Sequence, residues 1–498
     1  MNKFHSILSR RDFMKTVGLG TAGIAAVGAA APVFGNFDDM LSSGEAADKS
    51  FKKPWYIKDR PHGDPTIEVD WTIMEPRENR YNLNASFGQD SIFGAAFRSE
   101  MTALSNNITT SAISQKKGGY LARDYALSSA AQSGSCSWSI AKLNPAAGLA
   151  PYSGTPEENS QLMRAAMTFL GASHVGFTKL SGDEYKITNA ANDNNYPYVL
   201  DANAEWAEVE GSGASTRYIV PGKKTLYAIG VSMQMSKELF KHEASSDCGT
   251  GQLRQAANGD RYRRWPLLYA GAQRFLAYLG YNAFGYATPT RSFVPSNGDA
   301  VFTGIAEAAR NSNFTISPYF GPVQGVFSVV TDMPLAPSHC IDAGIFRFCR
   351  TCAKCAATCP SGAIKTDNFT TWEHFNPSDY KYNKTGNEVR FTVPGKKNFF
   401  WDATACKYTW NTAGGCANCM GTCTFNTGAG AGVHDFVRAT LATTSILNGF
   451  FAKADDFYYG SGLVSGDDKN DWWKKSMPVS AIESTLLAYD NSYHKKGS

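Results

Sequence analysis

The sequence predicts an α+β protein with a cysteine-rich module near its C-terminal end, and three observations predict it. Helix and strand patterns alternate through the middle of the chain, eight of the eleven cysteines lie between residues 349 and 423, and 43% of the 498 residues are hydrophobic. A chain of that size and composition buries a large core and divides into two or more structural units.

The N-terminus carries Ser9-Arg10-Arg11-Asp12-Phe13-Met14-Lys15, followed by a mildly apolar stretch rich in Gly and Ala from Thr16 to Phe34, with Ala29-Ala30-Ala31 as a small-residue cleavage site. Residues 1–40 read as a twin-arginine export leader. Net charge is +4, and Lys3, Arg10, Arg11 and Lys15 against Asp12 leave about +1 for the remainder. That balance lacks the basic footprint of a nucleic-acid binder. No later segment reaches the roughly 18 apolar residues of a membrane span, so the exported chain is expected to be soluble or peripheral.

Residues 41–160 are irregular, with scattered aromatics such as Trp55, Trp71, Phe93 and Trp138, and read as a loop-rich N-terminal unit. A core follows over 161–335. Thr155-Pro156-Glu157-Glu158 offers a capping threonine, a proline at the first helical position and acids in the first turn, and Asn159 to Leu170 continues at helical spacing. His174 to Leu180 and Thr225 to Val231 read as strands. A polar segment then leads to a helix from about Arg263 to Leu279, ended by Gly280. Residues 336–430 hold the cysteine module, and 431–498 complete the core with a helix from Gly432 to Phe451 and a loop after Tyr458.

Within the module, Cys349, Cys352, Cys355 and Cys359 give C-x2-C-x2-C-x3-C followed by Pro360, the run by which bacterial ferredoxins hold a [4Fe-4S] cluster. A second set follows at Cys406, Cys416, Cys419 and Cys423, with Thr424 in place of the proline and nine residues between its first two cysteines. Two clusters are expected, in a bacterial two-[4Fe-4S] ferredoxin-like arrangement. In two-cluster ferredoxins the fourth cysteine of each run ligates the other cluster. Cys349, Cys352 and Cys355 are thus expected with Cys423, and Cys406, Cys416 and Cys419 with Cys359. Structural zinc is the other reading of paired cysteines, but three thiols within seven residues suit a cubane better. An export leader that carries folded cargo suits clusters assembled before transport, and makes disulfides a poor explanation of the cysteine count. Cys136, Cys248 and Cys340 read as free thiols, and His174 and His434 as structural.

The RRDFMK leader, the long middle domain and the late double ferredoxin motif together resemble the corrinoid-dependent reductive dehalogenases of organohalide-respiring bacteria. Further segments look like that family: Gly154 to Asn159, Thr331-Asp332-Met333-Pro334-Leu335-Ala336-Pro337, Ile341-Asp342-Ala343-Gly344 and Asn448-Gly449-Phe450-Phe451. The resemblance implies a corrinoid in a nitroreductase-like core, with one cluster close enough to reduce its cobalt. The chain has no Asp-x-His-x-x-Gly, so a base-off cobamide without a protein ligand is implied. Family catalysis uses a tyrosine as proton donor. In relatives it lies 13 residues before a phenylalanine in a segment resembling Phe275 to Tyr281, which points to Tyr262. A basic residue beside it favours the phenolate, and the pattern from Gly304 onward points to Arg310, or to Asn311 if the alignment shifts by one residue.

The resemblance also implies a small organohalide as substrate, a membrane anchor protein and an upstream electron donor, hydrogenase or quinone-linked, at the outer face of the cytoplasmic membrane. Two alternatives stay open at this level: an epoxyqueuosine-reductase-like corrinoid enzyme, and an iron–sulfur electron-transfer subunit without catalysis. The particular organohalide is not legible.

Overall fold

The computed structural model describes residues 56–120 and 152–474 apart from 79, 81, 245–248, 288–290, 373–375, 391–393 and 427–431, together with Lys53, Trp138 and Ser139. The leader, Cys136, Cys248 and the side chain of His434 lie outside the described residues.

Where the sequence suggested only loops, two helices form: α1 (Ser86–Phe93) and α2 (Ala95–Ser114). The Ser, Thr and Asn of α2 are weak helix formers that hide the pattern. Packing secures it instead, since Phe97 stacks on Tyr382 and Tyr408 with ring centroids 6.0 and 5.9 Å apart. Helix α3 (Pro156–Phe169) begins as read, with a capping box in which Glu158 N donates to Thr155 Oγ1 (3.2 Å) and Thr155 N donates to Glu158 Oε2 (2.8 Å).

The central sheet uses β1 (His174–Leu180), β2 (Leu226–Gln234) and, later in the chain, Gln324–Thr331. Between them come α4 (Gln252–Leu279) and α5 (Ser296–Phe302), after which Gln324–Thr331 is β3. The order is β3-β2-β1, antiparallel throughout. One face carries Val175, Phe177, Ile229, Val231, Phe327 and Val329, which pack against Met163 and Met167 of α3 and Trp265, Leu268 and Leu276 of α4. Alternation along each strand leaves Gly176, Gly230 and Ser328 paired on the other face. There α5 lies directly on the backbone, and a Cβ at Gly176 would stand 2.1 Å from the Thr303 carbonyl oxygen.

Helix α4 starts 11 residues earlier than the sequence suggested. Pro266 lies inside the helix. Lacking an N–H, it cannot bond the Tyr262 carbonyl four residues back. The C-terminal part contains α6 (Ile345–Cys352), α7 (Ala403–Thr412), α8 (Gly432–Thr443) and α9 (Asn448–Tyr459). The single helix expected from Gly432 to Phe451 is therefore two. Thr444 accepts from Ile446 N through its Oγ1 (3.2 Å), a local turn that competes with the helix. The expected loop at Tyr458 is the last turn of α9, and Trp472 and Trp473 lie in a 3-10 turn. Among the described residues no helix is long and apolar enough to cross a membrane.

Candidate active site

The first cysteine run is anchored before it begins. The buried Glu307 carboxylate accepts from Ala343 N (2.6 Å), Phe346 N (3.3 Å) and Thr66 Oγ1 (2.9 Å), fixing the start of α6. At the other end, Ala353 takes a left-handed φ of 48°, rare for a residue with a Cβ. That turn breaks the helix between Cys352 and Cys355.

The eight thiols lie close together as two neighbouring groups, with Cys359 acting on Cys355 and Cys355 on Cys419 between them. Cys349, Cys352 and Cys355 act on Cys423, and a pocket of about 20 Å³ lies among these four and Cys419. Cys359 acts on Cys406, Cys416 and Cys419. Burial pushes Cys349 and Cys406 up to about 12 and Cys416 up to about 11, and neighbouring cysteines push in the same direction. Thiols held this way are costly to ionise unless a cation receives them, so the donor chemistry fits a cationic centre. No group of three or more His, Cys, Asp or Glu among the described residues could hold a single metal ion. Thr424, which stands where the ferredoxin proline was expected, contacts Cys352 Sγ (3.5 Å) and donates to Asp455 of α9 (3.2 Å). Asp455 also pairs with the buried Lys354 of the first run.

A cavity of about 610 Å³ lies where α4, α5, β3 and α7 meet. Tyr262 of α4 and Cys406 of the second thiol set both line it. Tyr262 is half-buried, edge-on to Phe327 at 6.0 Å, and Phe327 stacks on the buried Trp265 at 4.4 Å. Much of the wall is amide or hydroxyl, including Asn82, Asn84, Asn258, Asn297 and Asn398. No histidine is among the described lining residues.

Helix α4 spans both parts of the site. In its first turn Arg254 is buried between the rings of Phe240 (5.2 Å) and Trp410 (4.5 Å) and donates to the Cys416 carbonyl (2.9 Å). Two turns later the same helix presents Tyr262. One rigid element thus fixes the tyrosine relative to the second thiol set.

The basic residue beside Tyr262 is not Arg310. A guanidinium has five N–H donors, and all those of Arg310 are engaged: with the carbonyls of Cys349, Lys365, Asp367 and Arg350 and with Asn368 Oδ1. Its plane lies over Phe399, 4.4 Å from the ring centroid. Arg310 is a buried clamp on the first cysteine run. Asn311, the shifted alternative, lines the small pocket at the first thiol set and not the Tyr262 cavity.

The residue that meets Tyr262 is Arg261, which donates to its hydroxyl oxygen (2.5 Å) and lies 4.4 Å from the ring centroid. Arg263 and Arg264 are drawn to Asp260, at 2.6 and 2.5 Å. Of that basic run, Arg261 alone enters the cavity wall among the described residues. The run was visible in the sequence, but neighbouring helix positions point about 100° apart, so adjacency gave no hint of contact. Sequence reading also missed Arg77, Lys396 and Lys407 in the wall, because they come from segments far apart in the chain. His174 is enclosed between Tyr319 and Phe320, and burial holds it down to about 3, a packed neutral ring.

With that geometry in view, the comparisons are specific. The reductive dehalogenase subunit family matches residues 135–335. A chloroethene reductive dehalogenase of Dehalococcoides mccartyi is 27% identical over 552 residues, covering 96% of this chain and 99% of that protein. A trichloroethene reductive dehalogenase of the same species is 26% identical, covering 96% of this chain and 98% of that protein. A tetrachloroethene reductive dehalogenase of Sulfurospirillum multivorans is 34% identical over 37% of this chain and 33% of its own length. A solved catabolic reductive dehalogenase, in complex with 3-bromo-4-hydroxybenzoic acid, superposes with a TM-score of 0.54 at 17% identity. That match covers 81% of this chain and 49% of the other, so this chain spans about half the length of that protein. A second structure, of a reductive dehalogenase described in terms of B12-dependent dehalogenation, gives a TM-score of 0.53 at 17% identity. The fold is that of solved reductive dehalogenases, and the sequence likeness to curated reductive dehalogenases runs nearly end to end.

Proposed function

We propose that the cavity between α4 and α7 holds a base-off corrinoid, that the two thiol sets hold two [4Fe-4S] clusters, and that the enzyme replaces halogen by hydrogen on a small organohalide. The observation that carries this reading is that Tyr262 and Cys406 line one cavity. A proton donor and an electron source then face the same space. The amide-rich wall suits a ring edged with amides, and described lining residues without a histidine suit cobalt without a protein ligand. In this reading the central sheet with α3 to α5 is a nitroreductase-like core, and the cysteine module is ferredoxin-like.

When bound, the clusters supply an electron path and the reduced corrinoid supplies the chemistry that breaks the carbon–halogen bond. Replacing halogen by hydrogen consumes two electrons and one proton and releases halide. The chain's own residues handle the proton and the position. Tyr262 delivers its hydroxyl proton toward the reacting carbon. Arg261 keeps a donor on the phenolic oxygen after that proton leaves. Phe327 and Trp265 back the tyrosine with apolar surface, which limits water at the reacting atoms.

The proposal extends to context: export by the twin-arginine route, a membrane anchor protein, and a hydrogenase or quinone-linked donor feeding organohalide respiration. The test is Tyr262→Phe, assayed anaerobically with reduced viologen on a panel of organohalides. At least ~100-fold loss is expected, with iron and corrinoid content unchanged. Undiminished dehalogenation in that variant would refute the proton-donor role.

A further inference from the structure

The charge in the cavity wall is one-sided. Arg77, Arg261, Lys396 and Lys407 line it, and no aspartate or glutamate is among the described lining residues. Two of these cations have local work: Arg261 serves the Tyr262 hydroxyl, and Lys407 donates to Asn84 Oδ1 at 3.1 Å. Arg77 and Lys396 form a separate pair. Arg77, on the strand Arg77–Glu78, donates to Asn189 Oδ1 at 3.3 Å. Lys396 follows Gly395, whose φ of 84° and close approach to Met74 N and Asp70 O (a Cβ there would lie 2.7 and 2.8 Å away) tuck this stretch under the turn at 70–74. A bridge from Val69 to Lys396 holds its backbone.

Lys396 is partly buried and lines the cavity. It also feels the Arg77 charge: burial first, then Arg77, holds it down to about 8, while burial holds Arg77 down to about 10. Neighbouring cations in a wall that holds no acid among its described residues favour an anion there. A chloroethene has no charge to offer. A corrinoid ring is edged with neutral amides, and its fixed anion is the phosphodiester linking the ring to its lower base.

We propose that Arg77 and Lys396 form an anion subsite that takes the phosphodiester of the corrinoid's nucleotide tail. This assignment rests on the corrinoid reading above. Arginine offers a planar fork to two phosphate oxygens and lysine a point charge to a third.

The test measures binding, not turnover. Full-length protein made without corrinoid is titrated with cobalamin, with cobinamide phosphate, and with cobinamide, which lacks both phosphate and base. Wild type is expected to bind the two phosphate-bearing probes roughly tenfold or more tighter than cobinamide. Lys396→Gln should erase that gap while leaving cobinamide affinity unchanged, and Lys396→Arg should restore it. Equal weakening of all three probes would make Lys396 a structural residue, and no change in any would leave the subsite without function; either overturns the assignment. Unchanged cobalamin binding with a raised KM confined to carboxylated organohalides would give the cations to the substrate and overturn it too. Wild-type protein that binds none of the probes would instead sink the corrinoid reading, and the subsite with it.

Discussion

The two thiol sets share a ligand chemistry and differ in what surrounds them. Around Cys349, Cys352, Cys355 and Cys423 the structure is closed: Arg310 clamps four carbonyls and an amide, Lys354 pairs with Asp455, and the pocket among the thiols is about 20 Å³. Around Cys406 it is open, with a cavity of about 610 Å³ that also reaches Tyr262. Cysteine spacing decides where a cluster can form, and the neighbouring wall decides whether that cluster meets a reaction. In the proposed electron path, the first set is a relay and the second is the last donor before the substrate.

The sharpest way to break this comparison is to remove the crossed ligands one at a time. Cys359→Ser is expected to abolish the signal of the cluster nearest the cavity and with it dehalogenation, and Cys423→Ser to damage the other cluster first. Electron paramagnetic resonance of reduced protein reads the difference, and identical spectral damage from both variants would contradict the crossed arrangement. Next in size is Arg310→Leu, which strips partners from four buried carbonyls. A stability loss of about 4 kcal/mol or more is expected, read from denaturant unfolding, and KM in the surviving folded protein should not move. A raised KM there would return Arg310 to the active site.

A smaller effect is expected at the hinge between the two regions. Arg254→Leu frees α4 from the Cys416 carbonyl, and misplacement of Tyr262 should cut dehalogenation about tenfold while the first cluster's signal persists. The smallest effect is a pH dependence. Asp299 of α5 is buried beside Ser328 of β3, and burial raises its carboxyl from 3.8 to about 7. Between those values the folded chain holds a proton that the unfolded chain releases, so stability is full below about pH 4 and is lost as pH rises through about 7. Asp299→Asn should flatten the fall in unfolding midpoint between about pH 4 and about pH 7. A fall of unchanged slope would assign it to other groups.

Much of this was legible in the sequence, and the failures share a cause. The Thr155 cap and the strand from His174 to Leu180 are local signals, and each element formed where they pointed. Tyr262 was pointed to by family likeness, not by its own surroundings in the sequence. Arg310 was misplaced because the carbonyls and amide that hold it, at 349–368, are remote in sequence. Helix α4 was read short because its first turns are secured by remote partners, Arg254 against Phe240, Trp410 and the Cys416 carbonyl. Lys396 and Arg77 gave no signal at all, since two cations more than 300 residues apart meet only in the folded chain.

The most direct measurement is elemental and spectral analysis of anaerobically purified full-length protein. The account predicts about eight iron atoms and eight sulfides, as two cubanes require, and about one cobalt per chain with a corrinoid absorption band. Zinc in place of iron, or iron without cobalt in protein that still dehalogenates, would contradict it.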